Sequence, residues 1–559
     1  MTGAQFSPAL PDLDTLSLEQ QVAQMFVVRA SGRFFDRQIE FPDWEPPAAT
    51  LERWLHDLGV GGVILVGGSA VDLLVRSRWL QARAQYPLFV AADIEEGVGQ
   101  RFAGATWFPP PMAIAAIADR DPDKARHYAE EYGATTAREA LAIGINWVLG
   151  PVVDVNNNPQ NPVINVRAFG ETPERVADLA TAFLRGVQRF PALSCAKHFP
   201  GHGDTSVDSH VDLPVLTHSA ERLAQVEQPP FARAIAAGVD AVMSAHLLIP
   251  SWDGDRPATL SSKILTDRLR GDLGFDGLIL TDALVMGAIA NRYGANEAPL
   301  LALEAGADIL LMPVDPAGAI RTICDAVDKG RVSPERIRQS VERIWRAKHK
   351  IFAEPANLPP ASETTGEALA RLQSLAAPDA GAIATEILQE SQQVGGSLPL
   401  SLPPSTAGAT RNLLLVDNLV TCGFLGRQAP AIAIPQSRGY ALQLVDLHTD
   451  SNPEGDTPPA SRDEPSTEGA TLLQVFIRGN PFGGPARATE LADRWLKHLL
   501  TSGQLQGVAI YGSPYVLQQF LPHLPADLPY VFSYGQMHEA QAIALGTLFG
   551  VRDPVVNKS

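Results

Sequence analysis

The feature that most constrains the fold is an alternation of short apolar runs with longer amphipathic segments over the first 350 or so residues. Continuous apolar runs are typical of strands buried on both faces, and the segments between them are long enough for helices. Because parallel strands need crossover connections, the alternation predicts a parallel α/β sheet. Eight runs are present, at 25–29, 62–66, 88–93, 145–150, 193–197, 240–244, 278–282 and 308–312.

Eight strand and helix units predict that residues 1–353 form a (β/α)8 barrel of the TIM type, with insertions. A doubly wound open sheet is the competing topology, because it also alternates strands with helices. Residues 354–368 concentrate Pro, Ser, Thr and Glu without apolar periodicity, which predicts a linker. Residues 369–559 are predicted to form a smaller α/β sandwich, with strands at 412–416, 442–447, 472–477, 508–511 and 530–534.

Length, charge and cysteine content exclude several classes of protein. The 559 residues are too many for one hydrophobic core. Lys and Arg number 44 against 62 Asp and Glu, and the resulting formal charge of −18 argues against nucleic-acid and anionic-membrane partners. The three cysteines are widely spaced and provide neither a disulfide framework nor a metal knuckle. Without a signal peptide or a long apolar stretch, the sequence predicts a cytoplasmic protein.

Polar residues occur where five consecutive apolar runs stop. The third run stops at Asp93, the fifth at Lys197 and His198, and the seventh at Asp282. The fourth and sixth runs also lead into polar residues. Because the active site of a parallel barrel forms at the carboxyl ends of its strands, we expect these side chains to share one site.

The densest polar segment is KHFPGHGDTSVDSHVD, which packs three histidines into sixteen residues. One interpretation is a metal site, although no HExxH-type helical spacing supports it. A second interpretation takes Asp208 and His210 as a carboxylate that orients an imidazole for proton transfer, because residues two apart lie on one side of an extended segment. A third is a loop held by its own polar side chains. The candidate metal ligands are His198, His202, Asp204, Asp208 and His210.

Asp282 ends an apolar run, and two interpretations remain open from the residues. It is either a helix N-cap or an ionised carboxylate in the barrel mouth that attacks an anomeric carbon. A sugar in such a site needs partners for its many hydroxyls. The candidates for sugar binding are Asp93, Arg101, Arg167, Lys197 and His198. A surface ion pair is the alternative for either arginine taken alone.

Four segments resemble glycoside hydrolase family 3, in particular the two-domain form of its β-N-acetylglucosaminidase (β-N-acetylhexosaminidase) branch. They are KHFPGHGDTSVDSH at 197–210, LGFDGLILTDAL at 273–284, NPVINVRAFGE at 161–171 and PATLS at 257–261. The resemblance is strong over about 15–352 and loose near the end of the chain. The segment DIEEGVGQR departs from the family pattern, because Glu96 and Val98 stand where the family has a glycine and a basic residue.

The resemblance implies Asp282 as nucleophile, His210 as general acid and base, and Asp208 as its orienting partner. It also implies that the sugar is bound by Asp93, Arg101, Arg167, Lys197 and His198. The implied activity is that of a retaining exo-β-N-acetylglucosaminidase without metal or organic cofactor, acting on β-GlcNAc saccharides or on muropeptides in cell-wall turnover. The alternatives are another β-glycosidase or a GlcNAc phosphorylase of the family, a metal-dependent hydrolase using the 198–210 cluster, and a non-catalytic sugar-binding or scaffold protein.

Overall fold

The computed structural model describes residues 10–39, 41–42, 44–208, 212–353, 364–401, 410–420, 422–448, 469–479 and 486–551. The chain forms two compact units. The first comprises Met1–Pro111, Asp121–Asn158 and Arg167–Gly381, and the second comprises Met112–Arg120, Pro159–Val166 and Ala382–Ser559. Most of the predicted linker, residues 354–363, lies outside the described residues. The predicted domain boundaries therefore stay a prediction.

All eight predicted barrel strands are present in the first unit, and their residues are almost entirely buried. They are β1 (Phe26–Ala30), β2 (Gly62–Leu65), β3 (Phe89–Ala92), β4 (Trp147–Val148), β5 (Cys195–Phe199), β6 (Ala241–Ser244), β7 (Leu278–Leu280) and β8 (Leu310–Leu311). Full burial on both faces explains why each strand reads as a continuous apolar run rather than an alternating one.

The strands close into a barrel. Parallel pairing links β8, β1, β2, β3 and β4 in that order, and it also links β5, β6 and β7. Parallel bridges join the two sets at both seams, Trp147 with Leu193 and Val152 with Lys197 at one, and Leu280 with Ile309 at the other. Every barrel strand therefore has two neighbours, which confirms the (β/α)8 barrel and excludes the doubly wound sheet, because an open sheet keeps two edges.

Several helices begin at local capping signals. The Thr172 side chain accepts a hydrogen bond from the Arg175 amide, and Pro173 takes the first helical position, where its missing N–H costs nothing. No helix of the described residues is long and apolar enough to cross a bilayer. The α-helices of the described residues are Leu18–Ala23, Ala48–Arg53, Ala70–Arg83, Pro111–Ala118, Pro122–Ala142, Pro173–Val187, Ala220–Gln225, Gln228–Ala236, Gly287–Tyr293, Glu297–Ala305, Pro316–Asp328, Pro334–Phe352, Thr365–Gln373, Pro378–Ser391, Pro430–Gln436, Ala486–Thr501, Pro514–Phe520 and His538–Phe549. Trp54–Leu58 and Lys263–Asp272 are π-helical.

The second unit contains a six-stranded sheet. Its strands are β9 (Gln393–Gly395), β10 (Arg411–Val416), β11 (Ala441–Val445), β12 (Thr471–Ile477), β13 (Leu505–Gly512) and β14 (Tyr530–Ser533). The order is β9, β14, β13, β12, β10, β11, and all pairs are parallel except that of β9 with β14. Leu414, Phe476, Tyr511 and Leu545 pack in its core. The five predicted strands are present, and β9 is an additional one.

Candidate active site

A buried ion network joins the ends of β3 and β5. Lys197 lies in β5, and its Nζ atom lies 2.7 Å from Oδ1 of Asp93 and 2.5 Å from Oε1 of Glu95. Arg167 donates two parallel hydrogen bonds of 2.8 Å to the two oxygens of Glu95. Three predicted sugar-binding residues are thus brought together. Glu95, which the sequence analysis did not single out, links two of them.

The charges in this network support one another. Burial by itself would raise the pKa of Glu95, but Arg167 and Lys197 outweigh it and hold that pKa well below its usual value. Burial would lower the pKa of Lys197, but Asp93 and Glu95 raise it, and the net shift is upward. Burial would also lower the pKa of Arg167, but Glu95 raises it, and the net shift is again upward. All three side chains therefore stay charged and offer fixed donors and acceptors to a ligand.

Arg101 lies at the rim of this network. Its side chain is exposed, and its Nε atom donates to the main-chain oxygen of Asp93 at 3.2 Å. Glu96, which stands where the family has a glycine, is buried, and its Oε2 atom accepts a hydrogen bond of 3.0 Å from Trp107 Nε1. Glu96 and Glu95 are adjacent in the sequence, but they have different hydrogen-bond partners.

A buried aspartate orients His198. Asp154 follows β4, and its Oδ2 atom lies 2.7 Å from His198 Nδ1. The main-chain amides of His198 and His202 also donate to this carboxylate, at 3.1 and 2.7 Å. Burial would raise the pKa of Asp154, but the two histidines lower it, and the net shift is downward. The carboxylate accepts Nδ1–H and leaves Nε2 of His198 for a ligand. Beyond the polar segment that follows the fourth run, no sequence pattern indicated this role.

His202, the other described histidine of the segment, has a partner within it. His202 Nδ1 lies 2.8 Å from Thr205 Oγ1, and burial lowers the pKa of His202 to about 4, which keeps the ring neutral at pH 7. Asp204 pairs with His218 at 2.7 Å. Across the described residues, no group of three or more His, Cys, Asp or Glu side chains is placed to hold a metal ion. The metal interpretation gains no support from this part of the chain.

Asp282 lies two residues beyond β7, at the carboxyl end of the barrel. Its amide donates to Ser244 O at 3.2 Å, and its Oδ1 atom accepts from the Ala283 amide at 2.7 Å. The following helix begins at Gly287 and has Met286 at its N-cap, so the N-cap interpretation of Asp282 is wrong. The side chain is partly exposed, which leaves it available to a ligand.

His246 supports the segment that carries Asp282. Its Nε2 atom lies 3.1 Å from the main-chain oxygen of Ala283, and its Nδ1 atom lies 2.8 Å from Thr259 Oγ1. Ser244 donates to the same Thr259 hydroxyl at 3.0 Å. Thr259 belongs to the PATLS segment, so that motif fixes the histidine beneath the candidate nucleophile. His246 is one of the polar residues that follow the sixth apolar run, but no role was predicted for it.

Of the predicted acid and base pair, the structure describes Asp208 and not His210. Asp208 is partly exposed, and its main-chain oxygen accepts from the Asp212 amide at 3.1 Å. His210 lies outside the described residues, as do its two neighbours. The dyad of Asp208 and His210 therefore stays a prediction.

Comparison with known families decides the classification. Residues 17–347 match the N-terminal domain of glycosyl hydrolase family 3, and residues 404–550 match the bacterial C-terminal domain of the same family. The chain belongs to glycosyl hydrolase family 3. The predicted family is confirmed, and family membership supports the prediction that the protein is a glycoside hydrolase.

Individual relatives agree with this classification. β-Hexosaminidase A of Pseudoalteromonas piscicida is 36% identical over 313 residues, which are 51% of this chain and 51% of the relative. The chain thus spans about half the length of that relative. A β-N-acetylglucosaminidase/β-glucosidase of Cellulomonas fimi is 30% identical over 444 residues, 72% of this chain and 76% of the relative. The structure of a family 3 β-N-acetylglucosaminidase from Paenibacillus sp. str. FPU-7 has a TM-score of 0.74 at 28% identity and covers 96% of this chain and 98% of its own.

Proposed function

We propose that the protein is a retaining exo-β-N-acetylglucosaminidase that removes terminal β-linked GlcNAc through a covalent intermediate on Asp282. The observation that carries the proposal is the position of this partly exposed carboxylate on the same barrel face as the network of Lys197, Glu95 and Arg167. The names of the relatives supply the substrate class. A cytoplasmic role in muropeptide turnover stays a prediction from the sequence.

The ion network holds the sugar before the reaction. Lys197 and Arg167 present N–H donors, and Asp93 presents an acceptor, all already fixed by one another. A pyranose hydroxyl both donates and accepts, so paired charges satisfy it without a change in the network. Because the network is buried and preorganised, little side-chain entropy is lost when the sugar binds.

The reaction then proceeds in two displacements. In the first, an Asp282 carboxylate oxygen bonds to the anomeric carbon while the glycosidic bond breaks and His210 protonates the departing oxygen. In the second, His210 removes a proton from water, the water oxygen bonds to the anomeric carbon, and Asp282 is released. Two inversions at one carbon retain the configuration. Asp208 orients the imidazole, which is protonated before the first step and neutral before the second. In neither form does it repel the Asp282 carboxylate as a second carboxylate would.

Two aryl glycosides test the proposal. We expect the kcat/KM on p-nitrophenyl β-GlcNAc to exceed that on p-nitrophenyl β-glucoside by roughly 5- to 150-fold, because a site built for the acetamido group leaves about 1–3 kcal/mol of polar interaction unmade with glucose. Equal values on the two sugars would contradict the proposal. Adding inorganic phosphate distinguishes hydrolysis, which yields GlcNAc, from phosphorolysis, which yields GlcNAc 1-phosphate.

A further inference from the structure

A cavity of about 300 Å³ lies at the carboxyl end of the barrel, and none of the site residues described above lines it. It belongs wholly to the first unit. Its walls come from the end of β1 and the loop after it, from the loop after β7 and from the segment after β8. They include Arg29, Trp44, Glu45, Trp54, Val285 and Met312.

The loop that carries the candidate nucleophile also lines the cavity. Val285 is three residues beyond Asp282, and Met312 directly follows β8, the strand between β7 and β1. Burial lowers the pKa of Arg29 despite Glu45, and the charges of Arg101 and Asp93 also act on this guanidinium. The cavity therefore adjoins the proposed GlcNAc site on the side of β8 and β1.

Its walls combine aromatic faces with a buried ion pair. Trp44 and Trp54 line the cavity. Phe41, which is 44% exposed, stacks on Trp44 with ring centroids 6.0 Å apart. Arg29 Nη2 lies 3.2 Å from Glu45 Oε1, and both side chains are more than nine-tenths buried. Aromatic faces match the C–H faces of a pyranose ring, and the polar pair matches its hydroxyls.

The charge of the cavity limits its ligand. Arg29 and Glu45 are the charged side chains among the described residues that line it, and they neutralise each other. A ligand carboxylate would meet the Glu45 carboxylate and would compete with it for a guanidinium that is already paired. An uncharged ring meets no such repulsion.

We propose that this cavity is the aglycone subsite and that it binds an uncharged pyranose ring. The favoured substrate is then a neutral β-GlcNAc disaccharide rather than one whose second ring carries a carboxylate. The inference rests on the proposed function, because a GlcNAc held by the Lys197 network is what directs its leaving group toward the cavity.

Three substrates with different leaving groups test this subsite. β-GlcNAc fluoride has a one-atom leaving group that leaves the cavity empty. GlcNAc-β-1,4-GlcNAc places a neutral ring there, and GlcNAc-β-1,4-MurNAc places a ring with a lactyl carboxylate. We expect the wild-type protein to show a kcat/KM at least about tenfold higher on the neutral disaccharide than on the acidic one, which corresponds to about 1.4 kcal/mol.

Two variants and a matched control locate the effect. Trp44→Ala should lower the ratio of kcat/KM on the neutral disaccharide to that on the fluoride by roughly 3- to 10-fold, because an aromatic contact is lost. Glu45→Gln should raise the kcat/KM on the acidic disaccharide relative to that on the neutral one by about tenfold or more, because the charge of Arg29 is then no longer neutralised. Trp79→Ala, on helix Ala70–Arg83 and away from the cavity, should leave both ratios unchanged.

The outcomes separate this inference from the proposed function. Equal wild-type kcat/KM on the two disaccharides would overturn the inference. So would an equal loss on fluoride and disaccharide in Trp44→Ala, because the cavity would then belong to the GlcNAc site. Failure of the wild-type protein to release GlcNAc from any of the three substrates, the fluoride included, would instead contradict the proposed function. Thermal unfolding of each variant checks that it is folded.

Discussion

Lys197 Nζ lies 2.7 Å from Asp93 Oδ1, although 104 residues separate the two in the sequence. Their strands, β5 and β3, are not neighbours, because β4 lies between them in the barrel. The ion pair therefore spans three strand ends, and its geometry depends on closure of the barrel rather than on one loop. Groups carried by strands hold a ligand more precisely than groups carried by loops, so this pair suits the positioning of a sugar.

Asp282→Asn should abolish turnover of every glycoside, typically by several orders of magnitude, because an amide cannot form the covalent intermediate. Steady-state kcat on p-nitrophenyl β-GlcNAc measures the effect. Asp212→Asn removes an exposed carboxylate that pairs with Arg292, and it should leave kcat unchanged. Appreciable activity of Asp282→Asn on any glycoside would remove this residue from the mechanism.

His210→Ala should separate the two chemical steps. A p-nitrophenolate leaves without much protonation, so the glycosyl-enzyme still forms, but water is no longer deprotonated and the intermediate accumulates. General acid and base assistance is typically worth roughly 10²- to 10⁴-fold. Pre-steady-state kinetics should show a burst, and azide should accelerate release because it needs no base. Asp208→Ala should give a milder form of this defect. Wild-type hydrolysis of a GlcNAc disaccharide by His210→Ala would refute the assignment.

The apolar runs predicted the barrel because burial on both faces of a strand leaves a continuous local signal. The eight runs coincide with the eight strands to within two residues at each end. Strand β9 has no such signal, since it is three residues long, and Gln393 and Val394 are exposed. It forms because β14 offers an edge, and no pattern within residues 393–395 encodes that.

The site was predictable where a residue type suits the chemistry by itself. Asp93, Lys197 and Asp282 stand at strand ends, and a carboxylate or lysine there is unusual. Glu95 was missed because its role depends on Arg167, 72 residues away, and nothing local distinguishes it from Glu96. Asp154 and His246 were likewise buried partners whose importance appears only when the strands are brought together.

Glu95→Gln should destabilise the fold, because it leaves Arg167 and Lys197 buried without their shared carboxylate. Breaking such a pair typically costs about 3–5 kcal/mol. Since the fold lowers the pKa of Glu95, its stabilisation is complete above the unfolded value of about 4.3 and is lost as the pH falls through the lower folded pKa. Urea unfolding measures the free energy of unfolding of variant and wild type. The difference between the two should be smaller at pH 3 than at pH 7.

A matched carboxylate controls that experiment. Glu304→Gln removes one partner of Arg331 at the surface, where an ion pair is worth at most about 1 kcal/mol. Its unfolding free energy should stay close to that of the wild type at both pH values. If Glu95→Gln were as stable as Glu304→Gln at pH 7, the network would not hold the charges as described.

Chelation should leave activity unchanged. The Nδ1 atoms of His198 and His202 have partners in Asp154 and Thr205, and no metal-binding group forms among the residues whose positions are described. Incubation with excess EDTA, followed by assay on p-nitrophenyl β-GlcNAc, checks this expectation, and elemental analysis of the purified protein gives an independent measure. Loss of activity that returns with a divalent ion would favour the metal-dependent alternative.

Lys348 should make stability rise with pH above neutrality. Its Nζ atom is buried beside the neutral Gln24 amide, 2.6 Å from Oε1, and burial lowers the pKa of Lys348 from 10.5 to about 7. Between these values the unfolded chain binds a proton that the folded protein does not, so the free energy of unfolding increases with pH, by at most about 1.4 kcal/mol per pH unit.

Lys348→Met removes this dependence of stability on pH. Urea unfolding from pH 7 to pH 9.5 should therefore show the wild type gaining stability relative to Lys348→Met. Lys350→Met, on the same helix, loses a partly exposed ion pair with Asp240. Its free energy of unfolding should change with pH in parallel with that of the wild type. Parallel profiles for both variants would mean that Lys348 keeps its proton in the fold.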